Sequence, residues 1–151
     1  MYTLVRRYIK TGIAFLFIGL ALGAWMLVRR EIFGIWPHPH LVSAHAHVVL
    51  VGFVLYLILG VALWLFPRAA KDDTRYSPAQ VSAAYWILTI ATAARFIAEA
   101  ARAWSGSALL AWIVVIGGLG QVVGAAIYFR AMWPRIRPVG SHVREAQGER
   151  F

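Results

Sequence analysis

The chain has 151 residues, 61% of them hydrophobic, with a mean hydropathy of +0.68, which is more apolar than a soluble domain of this length needs to fill its core. Its net charge is +9, but the basic residues flank apolar runs instead of gathering in a polar segment with interleaved aromatics, which argues against a nucleic-acid partner. The absence of cysteine excludes disulfides, thiolate metal sites and thiolate ligation of heme, so any metal has to be held by histidine, methionine or oxygen.

A bilayer-spanning helix needs roughly 20 mostly apolar residues. Four stretches qualify, 11–28, 41–66, 77–98 and 109–133. They predict one all-α domain over 1–133, an integral membrane four-helix bundle whose short turns make sequential helices antiparallel, followed by a basic tail over 134–151. The first stretch is preceded by basic residues, as in a signal peptide, but Arg29 and Arg30 stand where a small-residue cleavage site belongs, so a retained helix is expected. Its Gly19 and Gly23 form a small-xxx-small face for close helix contact. In EIFGIWPHPH, Pro39 is placed to open the second helix with His38 near its cap, and Pro67 to end it. Ser77 before Pro78 reads as the start of the third helix. The fourth carries GGLGQVVG, a glycine-rich face around Gln121 suited to tight packing.

Basic residues divide unevenly between the two ends of these spans. Arg6, Arg7 and Lys10, then Arg68, Lys71 and Arg75, then Arg130, Arg135, Arg137, Arg144 and Arg150 lie at one end, against Arg29, Arg30 and Arg102 at the other. The positive-inside rule therefore predicts both termini on the cytoplasmic side of the inner membrane.

Four of the five histidines, His38, His40, His45 and His47, fall within HPHLVSAHAH. Ionisable residues at membrane depth are costly and usually face a cavity, a partner or a cofactor. At about 100° per residue, His45 and His47 point to nearly opposite helix faces. They cannot jointly chelate one small ion, but each can serve a different neighbour, one a heme iron and the other a second metal or a hydrogen-bond partner. His40 and His47 share a face about 10 Å apart along the axis, too far to hold one metal. His38 and His40 sit near the span's start, where simple hydration competes with a copper or zinc site. Arg95 is expected at the depth of His45 and needs an anion, either Glu99 at i+4 or a heme propionate, with Arg102 assisting at the interface.

The run HAHVVLVGFVLYLILGVALWLFPR, with His45, His47, Gly52, Tyr56, Leu65, Pro67 and Arg68, resembles the tenth helix of subunit I of the heme-copper oxidases, especially the cbb3-type oxidase and nitric oxide reductase branch. The resemblance covers about 25 residues and no other span. It implies that His45 is the axial ligand of a high-spin, ligand-binding heme b and that His47 serves a low-spin heme. It also implies a four-helix counterpart of one third of a twelve-helix subunit, so that a homotrimer would restore twelve helices, with the glycine faces of spans one and four offering contacts. The remaining copper-site histidines of that family have no counterparts on the other spans. All six acidic residues, Glu99 included, read as lying in loops, the tail or a span edge. Proton-pumping oxygen reduction is therefore not expected, and catalysis is left open, as an oxidoreductase or none. The reading is a membrane heme protein for electron transfer, with a redox partner, or for binding or chemistry of NO or O2. Its alternatives are a copper, zinc or heme handling protein and a structural accessory subunit of a respiratory complex, with lipid contact in every case.

Overall fold

The computed structural model describes residues 2–67 and 77–136, with positions 140, 143, 147 and 148 of the tail. Arg68, Lys71, Asp72, Asp73 and Arg75 of the central loop lie outside the described residues, as do Arg137, His142, Arg144, Glu145, Glu149 and Arg150 of the tail. The described chain is all-helical: α1 (Tyr2–Phe33), α2 (Pro39–His47), a π-helical segment (Val48–Leu55), α3 (Tyr56–Leu65), α4 (Pro78–Ala101), α5 (Ala108–Met132) and a closing 3-10 turn (Trp133–Arg135). These make four helices long and apolar enough to cross a membrane, Thr3–Phe33, Pro39–Leu65, Pro78–Ala101 and Ala108–Arg135. The chain is accordingly a multi-pass helical membrane protein. Large apolar side chains such as Phe17, Ile90, Ile116 and Leu119 stand exposed on its outer surface, as a lipid solvent permits.

Helix ends follow local chemistry. The 32 residues of α1 exceed the expected 11–28 at both ends, because backbone hydrogen bonding continues past the apolar run while charged side chains reach for the interface. Gly34, in the left-handed conformation at φ +66°, turns the chain out of α1, and the amides of Gly34 and Ile35 bond back to the carbonyls of Arg30 and Arg29. As the sequence predicts, Pro39 opens α2 with His38 as its cap; the His38 Nδ1 accepts from the His40 amide at 3.2 Å. Ser77 caps α4 by accepting from the Gln80 amide, and Pro78 follows it. Phe66, forced extended ahead of Pro67, ends α3.

The π-helical segment was not expected. It begins directly after His47 and occupies eight residues, so the regular 100° spacing used on the sequence holds for the histidines but not for the stretch below them. Such wide turns are rare and often accompany functional sites. Here they coincide with the closest approach of α1: a Cβ on Gly19 would come 2.5 Å from Val49 Cγ2, and one on Gly52 would come 2.8 Å from the Phe15 ring.

Both glycine faces are used inside the protomer. Gly19 and Gly23 receive Val49 and the His45 ring, and on α5 Gly117, Gly120 and Gly124 receive Arg95, Ala91 and Leu88 of α4. This agrees with tight intramolecular packing and corrects the expectation that these faces supply contacts between protomers, since each is already filled by a neighbouring helix of the same chain. The packing order is α1 along the π segment and α3, α2 against α4, and α4 along α5.

At the end away from the histidines, the bundle closes on four tyrosines, one from each span. Tyr8 contacts Tyr56, Tyr85 and Tyr128 through tilted and edge-on rings at 5.2–5.7 Å between centroids, and all four are buried. Each hydroxyl has a partner on another span: Tyr8 donates to Val81 O, Tyr56 pairs with Thr89, Tyr85 with Thr11, and Tyr128 donates to Leu59 O. Aromatic packing with satisfied hydroxyls gives this end directional contacts that aliphatic side chains in lipid lack. Arg135, counted on the sequence among the flanking cations, is instead buried and donates to the carbonyls of Leu63, Phe66 and Pro67. It caps the C-terminal end of α3, where orphan carbonyls and the helix dipole favour a cation.

Candidate functional site

The histidines separate into three environments. His38 is exposed and His40 partly so; their rings stack at 5.2 Å between centroids. Since His38 Nδ1 is taken by the helix cap, this pair offers at most its remaining ring nitrogens. No group of three or more histidine or acidic side chains is placed to hold a metal ion among the described residues.

His45 faces α1. Its Nδ1 lies 2.9 Å from the carbonyl oxygen of Gly19, which can only accept, so Nδ1 carries the proton and Nε2 keeps its lone pair. The ring rests on Gly23, where a Cβ would come within 2.7 Å of Cε1. Thus the small-residue face of α1 does two things for His45: it supplies a carbonyl that fixes the tautomer and leaves room for the imidazole. His45 also lines a groove of about 250 Å³ with Gly23, Met26, Leu27, Arg30, Pro37 and Val42. A histidine that ligates a metal almost always donates its other ring N–H to a carbonyl or carboxylate, and His45 has that arrangement.

His47 points the other way, into the contact of α2 with α4, as its spacing from His45 predicts. Its Nδ1 donates to the Ser43 carbonyl at 2.8 Å, and its Nε2 accepts from Arg95 Nη2 at 2.7 Å. Both ring nitrogens are therefore occupied. Arg95 spans the interface: Nε donates to Glu99 at 3.1 Å and Nη1 to Gln121 Oε1 at 2.9 Å. Gln121 in turn donates to Thr92. Ser43 donates to Glu99 Oε1 at 3.0 Å, and Glu99 Oε2 lies 3.5 Å from His47 Nδ1. Of the two anions weighed for Arg95, the structure supplies Glu99. That residue, placed at a span edge on the sequence, is only 2% exposed and lies inside the bundle. Arg102 follows α4, and its Nε is buried without a hydrogen-bond partner.

Of the two deeper histidines, only His45 keeps a ring nitrogen for a ligand. His45 offers a fixed imidazole with a free lone pair beside a groove lined in part by Arg30, itself paired with Glu31, whereas His47 would first have to give up Arg95. Sequence reasoning missed Ser43 and Thr92, whose small polar side chains carry no pattern of their own. Gln121 was visible as the one amide in a glycine-rich apolar run. Compared with known proteins, the chain matches no family model, no curated protein and no solved structure.

Proposed function

We propose that this protein is a b-type heme protein of the cytoplasmic membrane, similar in its second span to subunit I of the heme-copper oxidases, with His45 as the iron ligand. The observation that carries this reading is the Nδ1–H bond from His45 to the Gly19 carbonyl, which orients the ring and leaves the Nε2 lone pair for a ligand. A heme held there by His45 would supply one-electron chemistry and binding of NO or O2. Arg30 lines the same groove and would have to exchange its Glu31 partner, at 2.6 Å, for a propionate. His47, Arg95 and Glu99 act on the opposite face of α2, where their network holds the helix against α4 and so keeps His45 turned towards α1.

Loop charges support termini on the cytoplasmic side. A homotrimer of twelve helices would use the exposed apolar face of α5, including Trp112, Ile116 and Leu119, since the glycine faces are already filled. A second reading, copper or zinc handling, rests on the stacked His38 and His40 rings and predicts metal retention that disappears when both are replaced. The occupied ring nitrogens of His47 favour a purely structural role for that residue, as an accessory subunit would have.

The decisive experiment is an absorption spectrum of the detergent-purified protein, before and after addition of hemin. The expected result is a Soret band that His45→Ala abolishes and His47→Ala retains. No Soret band in the unsubstituted protein, even with hemin supplied, refutes the reading. Size measurement in detergent tests the trimer, which a monodisperse monomer would exclude.

A further inference from the structure

A second groove, remote from the histidines, has the chemistry of a lipid headgroup site. It lies between the first turns of α1 and the start of α4, encloses about 290 Å³, and is lined by Thr3, Arg6, Arg7, Lys10, Thr11 and Tyr85. Thr3, Arg7 and Lys10 recur at the spacing of one helix face, with Arg6 beside them. Among the described residues, no acidic side chain lines the groove. Among the described residues, Arg6, Arg7 and Lys10 have no carboxylate partner, whereas Arg30 and Arg95 are paired with Glu31 and Glu99. The inner wall is the Tyr85 hydroxyl with Thr11, 2.8 Å apart, a pair of groups able both to donate and to accept.

Depth and shape narrow the occupant. The rise from Lys10 to Arg29 is about 29 Å at about 1.5 Å per residue, close to the roughly 30 Å of bilayer hydrocarbon. Lys10 therefore marks the edge of the apolar layer, and Arg6 and Arg7 lie at headgroup level. Below Lys10 the same face continues as Ile13 and Phe17, both exposed. A cationic cleft at headgroup depth above an apolar strip matches an amphiphile with an anionic head.

We propose that this groove binds the phosphodiester headgroup of an anionic glycerophospholipid, with the phosphate among Arg6, Arg7 and Lys10 and an acyl chain along Ile13 and Phe17. Basic pockets between spanning helices are a recurring form of lipid recognition. The apolar strip commits the site to a bilayer lipid over free phosphate, and the inference is independent of heme at His45.

The test uses the full chain in phosphatidylcholine nanodiscs with and without phosphatidylglycerol, reading the lipid retained after extraction by native mass spectrometry. Phosphatidylglycerol should be retained in preference to phosphatidylcholine, be released by salt, and resist displacement by inorganic phosphate. Its affinity should fall about fivefold for each charge removed in Arg7→Gln, Lys10→Gln and the triple Arg6→Gln/Arg7→Gln/Lys10→Gln variant. Arg29→Gln, at the other end of α1, should bind as the unsubstituted protein does. Because the single variants alter only exposed side chains, they keep the test informative if the triple variant folds poorly. Equal retention of both lipids, equal loss in Arg29→Gln, or displacement by inorganic phosphate overturns the proposal.

Discussion

Replacing Arg95 by methionine tests whether the buried polar network holds α2, α4 and α5 together. The substitution removes the donor that reaches Glu99 at 3.1 Å, Gln121 at 2.9 Å and His47 at 2.7 Å. Glu99, whose side chain is 3% exposed, would keep the Ser43 hydroxyl and the more distant His47 ring. In soluble proteins, stranding one member of a buried pair costs about 3–5 kcal/mol. The Arg95 side chain is 19% exposed, and helices unfolded within a membrane also find partners for their polar groups, so the lower end, about 3 kcal/mol, applies here. Glu99→Leu should cost less, about 2 kcal/mol, because Arg95 retains two neutral acceptors, Gln121 and His47. With both charges gone, no unpaired ion is left in the bundle. Arg95→Met/Glu99→Leu should therefore be more stable than the sum of the single losses predicts, by about 1–3 kcal/mol. Equilibrium unfolding in mixed micelles, followed by tryptophan fluorescence, measures the three variants in one cycle. If the double variant matches the sum to within about 0.5 kcal/mol, Arg95 and Glu99 are not energetically coupled and the network does not hold these helices in the way described.

Two further substitutions probe separate parts of the bundle. Gly23→Ala places a methyl group 2.7 Å from Cε1 and 3.2 Å from Nδ1 of His45, pushing the ring off the Gly19 carbonyl; hemin affinity should fall about tenfold or more, the usual scale for losing a ligand's supporting bond, and unchanged affinity in a spectrophotometric titration would show that the carbonyl bond is irrelevant. Arg135→Ala strips the C-terminal end of α3 of its bonds to Leu63, Phe66 and Pro67; thermal unfolding in detergent should register a loss of about 2–3 kcal/mol, given the strength of hydrogen bonds to charged donors, and a loss below about 0.5 kcal/mol would refute the capping role.

What the amino-acid sequence determined by itself was the class of structure and the direction of its histidines. Hydropathy over four long runs specifies spanning helices because the bilayer penalises any unpaired backbone, and Pro39, Ser77 and Pro67 mark helix ends through local rules that need no partner. The divergence of His45 from His47 likewise follows from helix periodicity alone, since both lie in α2, ahead of the π segment. The tertiary structure alone decided what each face meets. The carbonyl of Gly19 that fixes the His45 tautomer is a backbone group with no signature in the chain, and it is Arg95, from another span, that takes the His47 Nε2 and so distinguishes the two rings. Glu99 looked marginal along the sequence because hydropathy averages over faces, and only the approach of α2 to α4 shows that its own face is internal. Arg135 followed the statistics of flanking cations until Leu63 and Pro67, about seventy residues earlier in the sequence, presented the carbonyls it caps. The histidine cluster could be seen in one dimension; which nitrogen remains free depends on contacts between spans, and those exist only in three.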